Sequence, residues 1–394
     1  MNDSVKSTIV LTAICLIVTL ILSAVNYVTA PIIKQNADKA VQESLKAVLP
    51  SAASFEEVEL KENTPETVKA VYKDTAGSGF AIALETTSSY SEAPMAITVG
   101  ISADGIIQNI VITNYSETKD FGADYPNTYV GKDASLAGVD LVSGVTYSST
   151  AFKNAINDAF TAMLGGKSDA VLVNEAMGEL LPGTVNNTGS CDAKLDETSG
   201  LYVSSNKAGY AMVADKVVYV ADAFGSYVGF KSEEDAPEDA SVVEALKTAA
   251  AQAYAAENTK HIERIQKIYE GAEVTPLTVN VQSTVNGAYS FTADGTAYYA
   301  FTASPFGYGG VMNLLYIVNE NGEIAKFKVL SHNETEYYGE VVAQSEYAGR
   351  FSGAVLGAVG DDITTIAGCT FTSTGVKTAV ADVTAAFNAV KEAQ

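Results

Sequence analysis

MAITVGISADGIIQNIVIT at residues 95–113 and MNLLYIVNENGEIAKFKVL at residues 312–330 are one construction written twice. Each is a run rich in aliphatic and β-branched residues that breaks at Asp104-Gly105 or Asn321-Gly322 and resumes. Runs of this composition bounded by turn residues read as strands, and Asp-Gly or Asn-Gly supplies the left-handed backbone of a tight turn. Both stretches therefore predict antiparallel hairpins. The likeness continues downstream, in NYSETKDFG at 114–122 and SHNETEYYG at 331–339. Glu117 follows Gly105 by 12 residues, and Glu334 follows Gly322 by the same 12.

Each copy then reaches a Gly-x-Thr turn, DLVSGVTYSSTAF at 140–152 and TTIAGCTFTSTGV at 364–376. Both turns open an amphipathic helix, with Phe152, Ile156 and Phe160 on one face in the first and Val376, Val380 and Val383 in the second. The interval from glutamate to threonine is 29 residues in one copy and 36 in the other, so the two differ by about seven residues in one loop. Thr146 and Thr370 lie 224 residues apart, far beyond the period of a solenoid, and the pattern predicts a duplicated domain.

The turn has a chemical meaning. Glycine permits positive φ and a close backbone approach, and hydroxyls follow at a helix start. There the unpaired N–H groups and the positive dipole end favour an anion, above all a phosphate, which would lie beside Thr146 or Thr370. The alternative is that Ser148, Ser149, Thr372 and Ser373 simply cap their helices.

Composition narrows the rest. In 394 residues, 24 Lys and Arg stand against 47 Asp and Glu, a formal charge of −23 that repels nucleic acid. His261 and His332 are the two histidines, and Cys15, Cys191 and Cys369 the three cysteines, too few and too scattered for a zinc cluster, a disulfide framework or an iron–sulfur centre. A redox or catalytic group would therefore be borrowed. Residues 8–28, TIVLTAICLIVTLILSAVNYV, are uncharged and long enough for a transmembrane helix, against the alternative of a cleaved signal peptide. The expectation is a single membrane pass with a short cytoplasmic end at 1–7 and the bulk of the chain extracytoplasmic.

The motif Asp140-Leu141-Val142-Ser143-Gly144-Val145-Thr146 resembles the Asp-x-x-[Ser/Thr]-Gly-Ala-Thr flavinylation motif of FMN-binding domains. Such domains occur in the G component of Rnf electron-transport complexes, the C component of sodium-pumping NADH:quinone reductase, and extracellular multi-flavin carriers. The N-terminal apolar run, NYVTAPII after it, the helix that leads into the fold, and the Asp-Gly hairpin are similar to the Rnf G component, and the final unit occurs a second time. The resemblance implies an α+β protein with one N-terminal transmembrane helix followed by two tandem FMN-binding domains, each of antiparallel strands with flanking helices. The boundaries expected are 37–168 for the first domain, 169–240 for a linker or degenerate segment, and 241–394 for the second. An Ala-rich helix from Ser241 to Tyr269 would be the second unit's counterpart of the lead-in helix.

It further implies FMN joined by a phosphoester to the hydroxyl of Thr146 and, by repeat, of Thr370, installed by a flavin transferase that recognises Asp140. Ser143, Gly144, Ser148, Glu117 and Thr118 would line the first cofactor site; Gly368, Thr372, Glu334 and Thr335 would line the second. The implied function is electron transfer as a component like RnfG of an Rnf complex, partnered by other membrane subunits, rather than stand-alone catalysis. A free-standing carrier with an extracellular acceptor is the alternative, and a tethered binding module without flavin is a second. The second copy departs from the motif, with Cys369 before Thr370 and Thr364 where Asp140 stands in the first. Neither copy keeps the proline of the family's Glu-Thr-Pro-Gly-x-Gly segment. Cys369 reads either as a redox thiol or as a small turn residue, His332 as a proton relay or a structural residue, and Tyr147 and Phe371 as flavin-stacking or packing rings.

Overall fold

A computed structural model describes residues 42–393 apart from 62, 89–90, 92, 116, 118–119, 143, 234–235, 282 and 335–338, with positions 12, 15–16, 18–20, 22–23, 25–27 and 29 before them. The strands form three antiparallel sheets of five strands, each in simple sequence order. The first holds β1 (Phe55–Val58), β2 (Val68–Asp74), β3 (Gly79–Thr86), β4 (Met95–Ser102) and β5 (Ile107–Asn114). The second holds β6 (Ala193–Asp196), β7 (Leu201–Ser204), β8 (Gly209–Ala214), β9 (Val217–Asp222) and β10 (Tyr227–Ser232). The third holds β11 (Thr275–Leu277), β12 (Val285–Ala293), β13 (Thr296–Ala303), β14 (Asn313–Asn319) and β15 (Ile324–Ser331).

This corrects the expected architecture in two places. Residues 169–240 contain a five-stranded sheet, so the described residues hold three sheet units where two domains joined by a linker or degenerate segment were expected. Of the transmembrane helix expected over 8–28, the structure describes positions 12, 15–16, 18–20, 22–23 and 25–27, and among the described residues no helix is long and apolar enough to cross a membrane.

The two repeated hairpins form as β4–β5 and β14–β15. Their turns are one residue longer than a two-residue loop: the Gly105 N–H donates to Ser102 O and the Gly322 N–H to Asn319 O. Both glycines sit at positive φ, 77° and 78°. Such a left-handed residue closing a turn adds a bulge and strengthens the strand twist.

Period-two alternation then feeds two cores per sheet. Along β14, Leu314, Tyr316 and Val318 join the core that includes Val376, Val380 and Val383 of α7 (Thr370–Glu392). Leu315 and Ile317 face the other way, into a core shared with Ile265 of α4 (Ala240–Gln266). The first sheet repeats the plan. Ile97, Val99 and Ile101 of β4 pack with Phe152, Ile156 and Phe160 of α2 (Thr146–Leu164). Leu45 and Val48 of α1 (42–48) pack with Ala81 of β3 on the opposite side. A Cβ at Gly100 would stand 2.1 Å from Val48 O, so glycine is what lets α1 lie on the sheet.

The middle sheet is sandwiched too, by α3 (Asp169–Leu180) on one face and by the first half of α4 on the other. Val243, Leu246 and Ala250 of α4 serve the middle sheet, and Ile265, fifteen residues beyond Ala250, serves the third. One continuous helix thus couples two sheets. The additional length of the second copy is taken up by α5 (Ser345–Gly349) and α6 (Asp361–Thr364) before α7.

Candidate functional site

Thr146 is the first residue of α2 and Thr370 the first of α7. Gly144 and Gly368, two residues before, are left-handed at φ 73° and 77°. The residues that flank the helix starts are Val145 and Cys369, which have no capping side chain, and no side-chain cap bond is made at either. The four hydroxyls that follow are used elsewhere. Ser149 Oγ accepts from the Val142 N–H (3.1 Å) and donates to Val145 O (3.0 Å). Ser373 repeats this, accepting from the Ile366 N–H (2.8 Å) and donating to Cys369 O (2.8 Å). Both serines clamp the loop that precedes the threonine.

Ser148 and Thr372 are buried and turn toward the repeated glutamates. Ser148 Oγ donates to Glu117 Oε2 (2.8 Å), which also accepts from Ser88 Oγ. Thr372 Oγ1 donates to Glu334 Oε2 (2.5 Å), while Glu334 Oε1 accepts from the Gly309 N–H (3.2 Å). The spacing of 12 residues from the turn glycine of the hairpin thus delivers a carboxylate to the first turn of the helix in both units. Backbone N–H groups at the helix starts are left available to an anion, the condition that the capping alternative would have removed.

The threonines themselves point to the outside of this scaffold, Thr146 half-buried and Thr370 exposed. Thr146 lines a cavity of about 600 Å³ whose walls include Lys194, His261, Arg264, Phe306 and Asn333, so the second unit contributes to the surroundings of the first threonine. Asp140 is exposed and paired with Lys194. Thr364, at the corresponding place in the second copy, is 2% exposed and donates to Gly360 O (3.1 Å).

The rings beside the threonines meet. Tyr147 and Phe371 have centroids 6.1 Å apart, and Tyr308 lies 6.2 Å from Phe371. Sequence reasoning missed Tyr308, Asn187, Ser88 and Gly309 as parts of the site. The FGYGG run at 306–310 was the available signal for two of them. A Cβ at Gly307 would stand 2.0 Å from Glu334 Oε1 and one at Gly309 would stand 1.9 Å from Asn333 O, so both glycines make room for the glutamate segment.

Ser143, Thr118 and Thr335 lie outside the described residues. All three cysteines are free, and burial pushes the Cys369 thiol up, so it is held protonated in a tight turn. His332 Nδ1 accepts from the Glu334 N–H (3.2 Å), a backbone role.

Against this geometry, residues 91–161 and 307–385 both match the FMN-binding domain family, and residues 1–48 match the RnfG N-terminal region. The chain carries two FMN-binding domains. The G component of a proton-translocating ferredoxin:NAD(+) oxidoreductase complex from Clostridium ljungdahlii is 35% identical over 101 residues, 23% of this chain and 55% of the relative. The chain therefore spans about half the length of the curated relative it matches. The matched segments run through both hairpins, both glutamates and both helix starts, and leave out the middle sheet.

The residues present fit FMN. Two uncapped helix starts suit a phosphate, three rings suit a planar isoalloxazine, and Glu117 Oε1 is buried without a hydrogen-bond partner, a group in want of a donor.

Proposed function

We propose that this chain is an electron-transfer component of an Rnf-type complex, with FMN joined by phosphoester bonds to Thr146 and Thr370 on the extracytoplasmic side of the membrane. The observation that carries this reading is the recurrence, in both FMN-binding domains, of a threonine hydroxyl at an uncapped helix start. Attachment would form a bond from the threonine oxygen to the FMN phosphorus as AMP leaves FAD, catalysed by a separate flavin transferase that reads Asp140. The flavin supplies reversible acceptance of electrons. The chain's own residues do the rest. The first-turn N–H groups hold the phosphate, Ser149 and Ser373 fix the loop before it, and the two glutamates fix the helix start to the hairpin.

Partners in this reading are the other components of the complex. The duplication of the domain favours a second reading, a free-standing carrier that delivers electrons to an extracellular acceptor. Co-expression with a flavin transferase, followed by intact mass and fluorescence on a denaturing gel, tests the shared core of both. A fluorescent band with the mass of one or two FMN groups is expected, and an unmodified chain would reject the covalent reading. Co-purification with membrane proteins of the complex separates the two readings.

A further inference from the structure

The two threonines belong to different domains, yet the residues next to them are in ring contact. Each threonine lies only about 3.8 Å of backbone from Tyr147 or Phe371, and those rings have centroids 6.1 Å apart. We propose, resting on the reading above, that both FMN groups share one chamber and exchange electrons directly within the chain, with Tyr147 and Asn187 as the residues that hold the two helix starts together. Such an exchange moves two electrons and two protons from a reduced isoalloxazine to an oxidised one. The sum over the chain is unchanged, and no further oxidant or reductant is consumed.

The contact is built, not incidental. Tyr147 Oη donates to Asn187 O (3.0 Å), and Asn187 Nδ2 donates to Gly307 O (2.6 Å), in the glycine loop that packs on Glu334. One residue from the segment before the middle sheet therefore touches both sites. Buried polar bonds brace it on either side. Lys153 of α2 pairs with Asp192 at 2.6 Å, with both side chains less than a tenth exposed. Asn206 Nδ2 donates to Gly183 O (2.7 Å) and Ser304 O (3.1 Å), and Asn286 Nδ2 donates to Asn206 O (3.2 Å). Buried groups of this kind are costly to unpair, so they fix the spacing between the domains rather than merely tether them. The middle unit, which neither family match covers, acquires a purpose as the brace.

Homotransfer of excitation between identical flavins reports their proximity without any turnover. The measurement compares wild type, Thr146→Ala, Thr370→Ala and the double variant Tyr147→Phe with Asn187→Ala, all matured with a flavin transferase and counted by intact mass. Wild type bearing two flavins is expected to show lower fluorescence anisotropy than either single-flavin variant, and emission below their sum. The Tyr147→Phe with Asn187→Ala protein should keep two flavins and recover anisotropy toward the single-flavin values. Two flavins by mass with undiminished anisotropy and additive emission would overturn the shared chamber and leave the functional reading standing. Unchanged depolarisation in the double variant would remove the role given to Tyr147 and Asn187. Absence of flavin from every protein would take down both readings together.

Discussion

The first FMN-binding domain and the second keep the same scaffold and differ at the surface that surrounds the threonine. In both, a glutamate from beyond the hairpin accepts a hydroxyl bond from the first turn, and a serine clamps the loop before it. The difference lies outward of that frame. The first domain shows an exposed Asp140 and a half-buried Thr146; the second shows an exposed Thr370, with buried Thr364 where the acid stood. The lesson is that duplication preserved what positions a helix start and let the approach to it diverge.

The largest effect should appear where this divergence meets maturation. Thr146→Ala is expected to remove one FMN completely, because the hydroxyls of Ser148 and Ser149, which follow it in the first helical turn, are buried and bonded. Asp140→Asn should lower occupancy at Thr146 and leave Thr370 as it was, read by peptide mass after digestion. Equal loss at both threonines would erase the contrast between the domains.

Next in size is the weld on the first domain. Lys153 and Asp192 are both buried, and breaking such a pair by removing one partner costs about 3–5 kcal/mol. Lys153→Ala should therefore lower the denaturant midpoint sharply, and Lys153→Met with Asp192→Leu should recover much of the loss. The second helix start has no equivalent among the described residues, where Lys377 pairs with an exposed Asp361. Lys377→Ala should cost about 0–1 kcal/mol, as surface pairs do.

Acid separates the domains by a different route. His261, under the third sheet, is pushed down to about 4 by burial, with its Nδ1 2.9 Å from Tyr289 Oη. Glu257 opposes the shift, and Arg264, Lys207 and Lys260 reinforce it. The unfolded chain takes up this proton near the ordinary value of about 6.5. The stabilisation is therefore complete above that value and is lost as pH falls from about 6.5 to about 4, by roughly 3 kcal/mol. Asp74 of the first sheet, held well below the usual carboxylate range by N–H groups of Ser78 and Ala53, weakens the fold only at lower pH. Denaturant melts at pH 7, 5.5 and 4.5 should show a slope that His261→Gln flattens; an unchanged slope would assign the window to other groups.

Much of this was legible in the sequence because its signals are local. Aliphatic and β-branched strand runs, a left-handed glycine in each turn and a fixed 12-residue offset leave marks that survive duplication. The middle sheet left weaker ones. Its β8–β9 turn, Asp215-Lys216, takes positive φ of 49° and 64° without a glycine, so the usual hairpin mark is missing. Its β6 and β7 are four residues each, too short for alternation to show. The contact between Tyr147 and Phe371 was illegible for another reason, since nothing in a linear pattern records how a third unit folds between two copies. The membrane helix expected from hydropathy rested on length and composition alone and is not among the helices described.

The smallest expected difference tests the scaffold that the domains share. Glu334 is 8% exposed and satisfies both oxygens, with Gly309 N–H on one and Thr372 Oγ1 on the other. Glu117 gathers Ser88 and Ser148 on one oxygen and leaves the other buried without a partner. Removing Glu334 takes a charged acceptor away from a buried backbone donor that cannot rotate, and bonds to a charged acceptor contribute about 1.5–3 kcal/mol. Removing Glu117 takes an acceptor only from hydroxyls, which rotate, and also relieves an unpaired oxygen, so Glu117→Ala should cost about half as much by the same measure. Gly307 extends the comparison, because a Cβ there collides with Glu334 Oε1. Gly307→Ala should therefore be markedly destabilising alone and nearly silent when Glu334→Ala is already present. A double-mutant cycle with no coupling between these two positions would mean that the glutamate yields to the methyl group, and that the second domain holds its helix start no more firmly than the first.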